Sequence, residues 1–401
     1  MIFAAMTAIL ALQAAADAPA DRCRAAQAIA PGFPACAATP HGAVLAESRA
    51  DAERMAGYAR GAEARFEAAF GRPVTPYALL DTSAPAPAEA LRTAGYRNVL
   101  RWPTAAQFDA ATRAGFERAT RQFAASQNMS PEQADAMVAR ALAQRAARTG
   151  AGQTGVYEAM IPHELGHLWF TQAYWPNAAA PAGAGRPSHY GGPGPDWLDE
   201  TAAVILEDDE SAARRRDQFA RLLRGEPLPS MGRGVPREQV LDLRLFLSRE
   251  HPALAGGVGP PPTIPAGGSM GVAVTFTPAG SANARPADAT LFYLQARRFA
   301  DYLIETSGRA DILAAIARFI AAGGTMEGWL RSEGAGHGLP ASLEALDAAW
   351  RSWAETSIAA AEARTRFESS IRPGEARNAA RTTRLRSGLS WRSPGRPFAR
   401  P

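Results

Sequence analysis

Lysine is absent from this chain, and all 43 of its basic residues are arginine. With abundant alanine, glycine and proline, that reads as a compositional bias of the coding sequence. Arginine richness therefore argues for no partner by itself, and no nucleic acid is expected. Cysteine is limited to Cys23 and Cys36, and metal ligation by the pair is not expected. Long apolar runs are also missing. The N-terminal run Met1 to Leu12, apolar but for Thr7, is too short to cross a bilayer comfortably. The run lacks a basic flank, but small residues follow it, with Ala-x-Ala sites ending at Ala16 or Ala20. Residues 1–20 thus read as a secretory signal peptide. The protein is expected to be exported, periplasmic or secreted, with no stable membrane span once that segment is removed. In such a compartment Cys23 and Cys36 are expected to pair, and closing that loop contributes about 3 kcal/mol.

Charge is sparse over most of the chain and concentrated at its end. Residues 364–401 hold ten arginines against two glutamates, a charge of +8 in a chain whose total is +4, so the remainder is −4. The tail reads as a solvated, disordered end. With 47% hydrophobic and 20% charged residues, the chain as a whole suits a soluble globular protein large enough for more than one domain.

The fold class expected is α+β, mostly α. Helical spacing runs from Val44 to Gly71 through Met55, Tyr58, Phe66 and Phe70. Strands are expected over Pro73–Leu80, with Pro76 marking an edge or bulge, and over Asn98–Trp102. Helices follow near 104–126 and 131–148, the second opened by Ser130 and Pro131. Beyond Gly150 the pattern is helical: a motif helix from Pro162 to before Pro176, a long helix from Asp196 to Arg224, then 236–249, 288–306, 309–322 and 340–358. Residues 176–195 and 250–287 are Gly/Pro-rich, with a short strand expected at 271–277. The domain reading is 1–20 signal, 21–45 exported N-terminal segment with the disulfide, 46–155 α/β part, 156–358 helical catalytic part, and 359–401 basic disordered tail.

Histidine is scarce too, six in the chain, yet two stand in His163-Glu164-Leu165-Gly166-His167. On a helix, positions i and i+4 share a face, so two imidazoles at this spacing can bind one zinc ion. The intervening glutamate then stands beside the metal as a base. A catalytic zinc usually takes a third protein ligand. A histidine six residues after His167 would serve, but that residue is Ala173. Glu200, at the head of the Asp196 helix, is the best candidate, with Asp199, Asp196, Glu207 and His189 as competitors. Asp196 and Asp199 also suit helix capping. Glu207 suits either a partner for a histidine N–H or a solvated acid.

His163-Glu164-Leu165-Gly166-His167-Leu168-Trp169-Phe170 resembles the H-E-x-x-H-x-W-F signature of aminopeptidase N-type zinc peptidases. Trp197-Leu198-Asp199-Glu200-Thr201-Ala202-Ala203 is similar to their W-L-N-E-G-F-A segment, whose glutamate is the third zinc ligand. Tyr293-Leu294-Gln295-Ala296, continuing to Leu303, resembles more loosely the helix that carries their oxyanion-binding tyrosine. The likeness covers roughly residues 155–355. It implies a gluzincin, peptidase MA-like domain: a zincin-like metalloprotease fold with a small N-terminal sheet before the active-site helix and a helical C-terminal half. It further implies Zn2+ on His163, His167 and Glu200, Glu164 as general base toward metal-activated water, Tyr293 as oxyanion donor, and a peptide or protein substrate. Tyr302 and the His189-Tyr190 pair are weaker candidates for the tyrosine's role. Residues 125–145 hold nothing like the family's G-A-M-E-N motif, so aminopeptidase specificity is not implied. The alternative is an exported, non-catalytic zinc-bearing or peptide-binding domain. Glu164 argues against it, since a structural site needs only ligands.

Overall fold

A computed structural model describes residues 19–149, 157–177, 192–228, 235–252 and 286–370. The chain divides into two compact units, Met1–Ala348 and Ala349–Pro401. The sheet and all the candidate ligands lie in the first. The signal segment up to residue 18, the strand expected at 271–277, His189, Tyr190 and the tail beyond residue 370 lie outside the described residues.

The described part is mostly helical with one small N-terminal sheet, as expected. Helix α1 (Pro19–Ile29) leads to strands β1 (Ala35–Ala38) and β2 (Gly42–Ala46), which pair antiparallel. Helix α2 (Arg49–Phe70) crosses to β3 (Tyr77–Leu80), parallel to β2. Helix α3 (Ala88–Thr93) crosses to β4 (Asn98–Arg101), parallel to β3. The sheet order is β1-β2-β3-β4. Helix α1 is joined to β1 by a disulfide between Cys23 and Cys36, so the expected pairing holds.

Two expectations are corrected here. The helix expected from Val44 begins at Arg49, because residues 42–46 form β2. Every β2 residue is buried, so its continuous apolar run does not show the alternation that marks a half-buried strand. Ser48 then caps α2 by accepting from the Asp51 N–H, and Gly71 ends it in the left-handed region at φ 61°. Likewise β3 is internal, not an edge. Pro76 precedes the strand, where it removes no ladder hydrogen bond.

One face of the sheet packs Cys36, Ala43, Leu45, Ala78, Leu80 and Val99 in a cluster with Ala26, Phe33 and Leu91. Tyr77 lies in contact with Trp169 of α6 (Ile161–Tyr174), the helix that carries the histidine motif, at 5.4 Å between ring centroids. From α2, Phe66 meets Trp169 at 5.7 Å and Phe70 meets Phe170 at 5.4 Å. Such pairs add about 0.5–1.5 kcal/mol each beyond the area they bury, and this seam fixes α6 against the sheet layer. Between β4 and α6 stand α4 (Ala105–Ser126), capped reciprocally by Thr104 and Gln107, and α5 (Pro131–Thr149), whose first turn is capped by Ser130 and Gln133.

The helix expected from Asp196 to Arg224 is two helices, α7 (Asp196–Val204) and α8 (Asp209–Leu223). Asp208 restarts the chain as an N-cap, its side chain accepting from the Ser211 N–H at 2.7 Å. Short helices α9 (Arg237–Leu241) and α10 (Leu243–Ser248) replace the single one expected at 236–249, and Asp242 caps the second. Helix α11 (Pro286–Ser307) follows, packing Phe299 on Trp197 of α7 at 5.9 Å. Helices α12 (Ile312–Ala321) and α13 (Met326–Ser332) come next, and α14 (Leu343–Ser370) runs beyond the end expected at 358.

Candidate metal centre

Pro162 sits in the first turn of α6, where its missing N–H breaks no helix bond, and Glu164 and the histidines follow at once. The helix is apolar almost all round and lies in the core, so its imidazoles are held away from water. His163 and His167 are both buried, with their Nε2 atoms 3.2 Å apart.

Helix α7 supplies the third group. The two helices approach closely because position 166 is glycine: a Cβ there would meet Ala203 Cα at 2.9 Å. Glu200, about one turn before Ala203, is brought to the imidazoles in this way. Its Oε2 is 3.4 Å from His163 Nε2 and its Oε1 is 3.6 Å from His167 Nε2. His163, His167 and Glu200 therefore form a buried group whose ligand atoms all lie within 4.8 Å of one another.

These residues fit a metal ion on two counts. Donors about 2.1 Å from a tetrahedral zinc lie about 3.4 Å from each other, close to the 3.2 Å between the imidazole nitrogens and the 3.4 Å from His163 Nε2 to Glu200 Oε2. Glu200 is fully buried, yet neither carboxylate oxygen has a hydrogen-bond partner among the described residues. A buried carboxylate without hydrogen bonds is costly unless a cation answers it.

The far nitrogen of each imidazole is fixed by a carboxylate. His163 Nδ1 lies 3.0 Å from Glu207 Oε1, and His167 Nδ1 lies 2.9 Å from Asp199 Oδ2. With Nδ1–H donating to these acids, each Nε2 lone pair faces the group. Glu207 owes its position to the break between α7 and α8. It is buried and gripped through both oxygens by Arg215, with Nε to Oε2 at 2.5 Å. It is thus a partner of His163, and the solvated-acid alternative is excluded. Burial works to raise the Glu207 pKa, but the Arg215 guanidinium outweighs it and brings the group down to about 2. Asp199 and Asp196 are not capping groups: the position before α7 is Pro195, with no side-chain cap bond. Asp199 holds His167, and Asp196 Oδ2 accepts the backbone N–H of His251 at 2.6 Å.

Burial opposes charge on the histidines as well, yet their carboxylate neighbours prevail. Glu200 and Glu207 raise His163 to about 9, and Asp199 and Glu200 raise His167 to about 10. Glu164 is half-buried, and loss of water lifts its carboxyl above the ordinary range against the pull of the two imidazoles.

Tyr293 of α11 stands at the site and not in the core. It is half-buried, with its ring 5.6 Å from the His163 ring and the Arg215 guanidinium 5.3 Å over its face. Tyr302 is buried and stacks on Phe299, away from this group. The sequence reading missed His251 and Arg215. His251 is buried, with Nε2 3.3 Å from Glu200 Oε1 and its ring 5.5 Å from that of Tyr293. The scarcity of histidine was the one signal that could have pointed to it.

Compared with protein-family models, curated proteins and solved structures, the chain finds no match.

Proposed function

We propose that this protein is a zinc-dependent hydrolase, most readily a peptidase, with its catalytic centre on α6, α7 and α11. One observation carries the reading. A buried ligand group fit for a metal ion has beside it a half-exposed glutamate, Glu164, that binds nothing in the group and whose proton affinity is raised. A purely structural site has no use for that residue. The resemblance of the H-E-x-x-H and Trp197–Ala203 segments to gluzincins supports the same reading.

His163, His167 and Glu200 would hold the ion, with Asp199 and Glu207 fixing the imidazole tautomers. Zn2+, when bound, acts as a Lewis acid and lowers the pKa of water toward about 7. Glu164 takes the proton from the attacking water and delivers it to the leaving amine. A carboxyl lifted toward the working pH suits both transfers. Tyr293, beside His163, supplies an O–H donor for the developing oxyanion, a contribution of about 2.7–4 kcal/mol where such donors have been removed. The Cys23–Cys36 disulfide supports an oxidising compartment, periplasmic or secreted.

The test is Glu164→Gln. Purified wild type should carry one equivalent of zinc and cut members of a peptide library. The variant should keep the zinc and lose turnover. An active variant would remove Glu164 from its role, and a wild type that binds zinc but cuts nothing would favour the non-catalytic reading.

A further inference from the structure

The carboxylate of Glu200 is flanked by three imidazoles, not two. His163 and His167 lie in the ligand group. His251 lies outside it, yet its Nε2 is 3.3 Å from Glu200 Oε1, the shortest of the three contacts. The contact joins two fully enclosed side chains: Glu200 is 0% exposed and His251 1%.

His251 is held there from three sides. Asp196 Oδ2 takes its backbone N–H at 2.6 Å. Phe292 meets its ring edge to face at 5.3 Å, and Tyr293 lies at 5.5 Å. Asp196 and Glu200 are four residues apart in α7 and so share one face of that helix. That face therefore fixes the backbone of residue 251 with one acid and receives its imidazole with the other. Residues 250–252 are registered to the helix that carries the third ligand, although 51 positions separate His251 from Glu200 in sequence.

We propose that His251 is a positioning residue for the metal ligand Glu200. A ligating carboxylate with no other polar neighbour can rotate between one-oxygen and two-oxygen binding. His251 Nε2 and Glu200 Oε1 lie 3.3 Å apart without the alignment of a hydrogen bond; an imidazole that turns its Nε2–H onto Oε1 when an ion engages the group would hold the carboxylate in one orientation toward the histidine pair. Carboxylate ligands are commonly steadied by a polar partner beyond the metal, and losing such a partner costs about 10- to 100-fold in affinity. This inference rests on the metal-centre part of the proposed function and not on hydrolysis.

Zinc affinity of the full chain, measured by chelator competition, tests it on three variants. His251→Leu keeps the volume and removes the donor; it should weaken binding about 10- to 100-fold. His251→Gln retains an N–H within reach of Glu200 and should recover most of that loss. His251→Asn is too short to reach and should behave like the leucine variant. If His251→Leu fails to fold, judged by its metal-free thermal melt, the Gln against Asn comparison decides alone. Equal affinity in wild type and every folded variant lacking the reach would overturn the proposal. So would equal losses for Gln and Asn, which would reduce the residue to ring packing. X-ray absorption of the zinc-loaded wild type should count two imidazoles. A count of three would make His251 a ligand and overturn the positioning role. A wild type that takes up no zinc would sink the metal-centre reading itself.

Discussion

Gly166→Ala separates two effects that usually act together in a helix. Replacing an interior glycine by alanine favours the helix by about 1 kcal/mol, because alanine loses less backbone freedom. In α6 the new Cβ would stand 2.9 Å from Ala203 Cα and 3.1 Å from Leu206 Cδ1. Carbon atoms prefer about 3.5–4.0 Å, so α7 must retreat by about 0.6 Å or more. Overpacking of this kind costs about 1–3 kcal/mol, and the net effect on the metal-free fold is a loss of about 0–2 kcal/mol. The effect on metal binding is larger, because Glu200 moves with α7 while the histidines stay on α6. Metal–ligand distances tolerate about 0.2 Å, and zinc affinity should fall at least about tenfold. Gly57 in α2 is the control: nothing lies within 4 Å of a Cβ there, and Gly57→Ala should stabilise by about 0.4–1 kcal/mol with zinc binding unchanged. Urea unfolding of metal-free protein and chelator competition read both effects. If Gly166→Ala stabilises as Gly57→Ala does and binds zinc like wild type, the close approach of α6 and α7 does not control the site.

Zinc binding should release protons. His163 and His167 are raised to about 9 and 10 without metal, and ligation needs neutral imidazoles, so calorimetry at pH 7 in buffers of different ionisation heat should count at least one proton released, with affinity rising toward pH 9; zero release would contradict the assignment. Asp301 is buried and holds Arg216, Arg297 and Arg298 at 2.6–2.8 Å. Burial tends to raise its pKa, but the three guanidinium groups outweigh that and lower it, so the stability it contributes is present above about pH 4 and lost as the pH falls through the folded-state value. Asp301→Asn should cost about 3–5 kcal/mol at pH 7 and flatten the acid limb of the stability curve; an unchanged limb would show that other groups set it.

The helices that hold the site were legible where a single face is apolar or a cap is explicit. Ser130 before Pro131 marked α5, and Pro162 marked the start of α6 to within a residue. Strand β2 was not, because a segment buried on both faces carries no period of two, and its Leu45 fits a helical series equally well. The break after Val204 was hidden for a different reason. Asp208 and Ser211 form a helix start inside a run of acids, and the same run reads as the solvated face of one continuous helix. Only the packing of Glu207 against His163 and Arg215 distinguishes the two.

That distinction explains how far a sequence can carry a candidate metal site. The buried group that could hold a metal ion was legible because its spacing is local: two imidazoles four residues apart, and an acid in a distinctive segment. Their supporting groups obey no spacing. Arg215 serves Glu207 from a later helix, and His251 reaches Glu200 from a stretch with no motif of its own. What unites them is charge. Glu164, Asp199, Glu200 and Glu207 meet around two imidazoles with Arg215 as the fixed cation among them. Asp199, Glu200 and Glu207 are buried, and the single Arg215 guanidinium grips only Glu207, so the group draws further positive charge. Raised histidines supply it as protons, and a divalent ion would supply it at a single point. On the proposed reading, the acids that appear dispensable in the sequence are therefore those that would set how strongly the centre draws a cation.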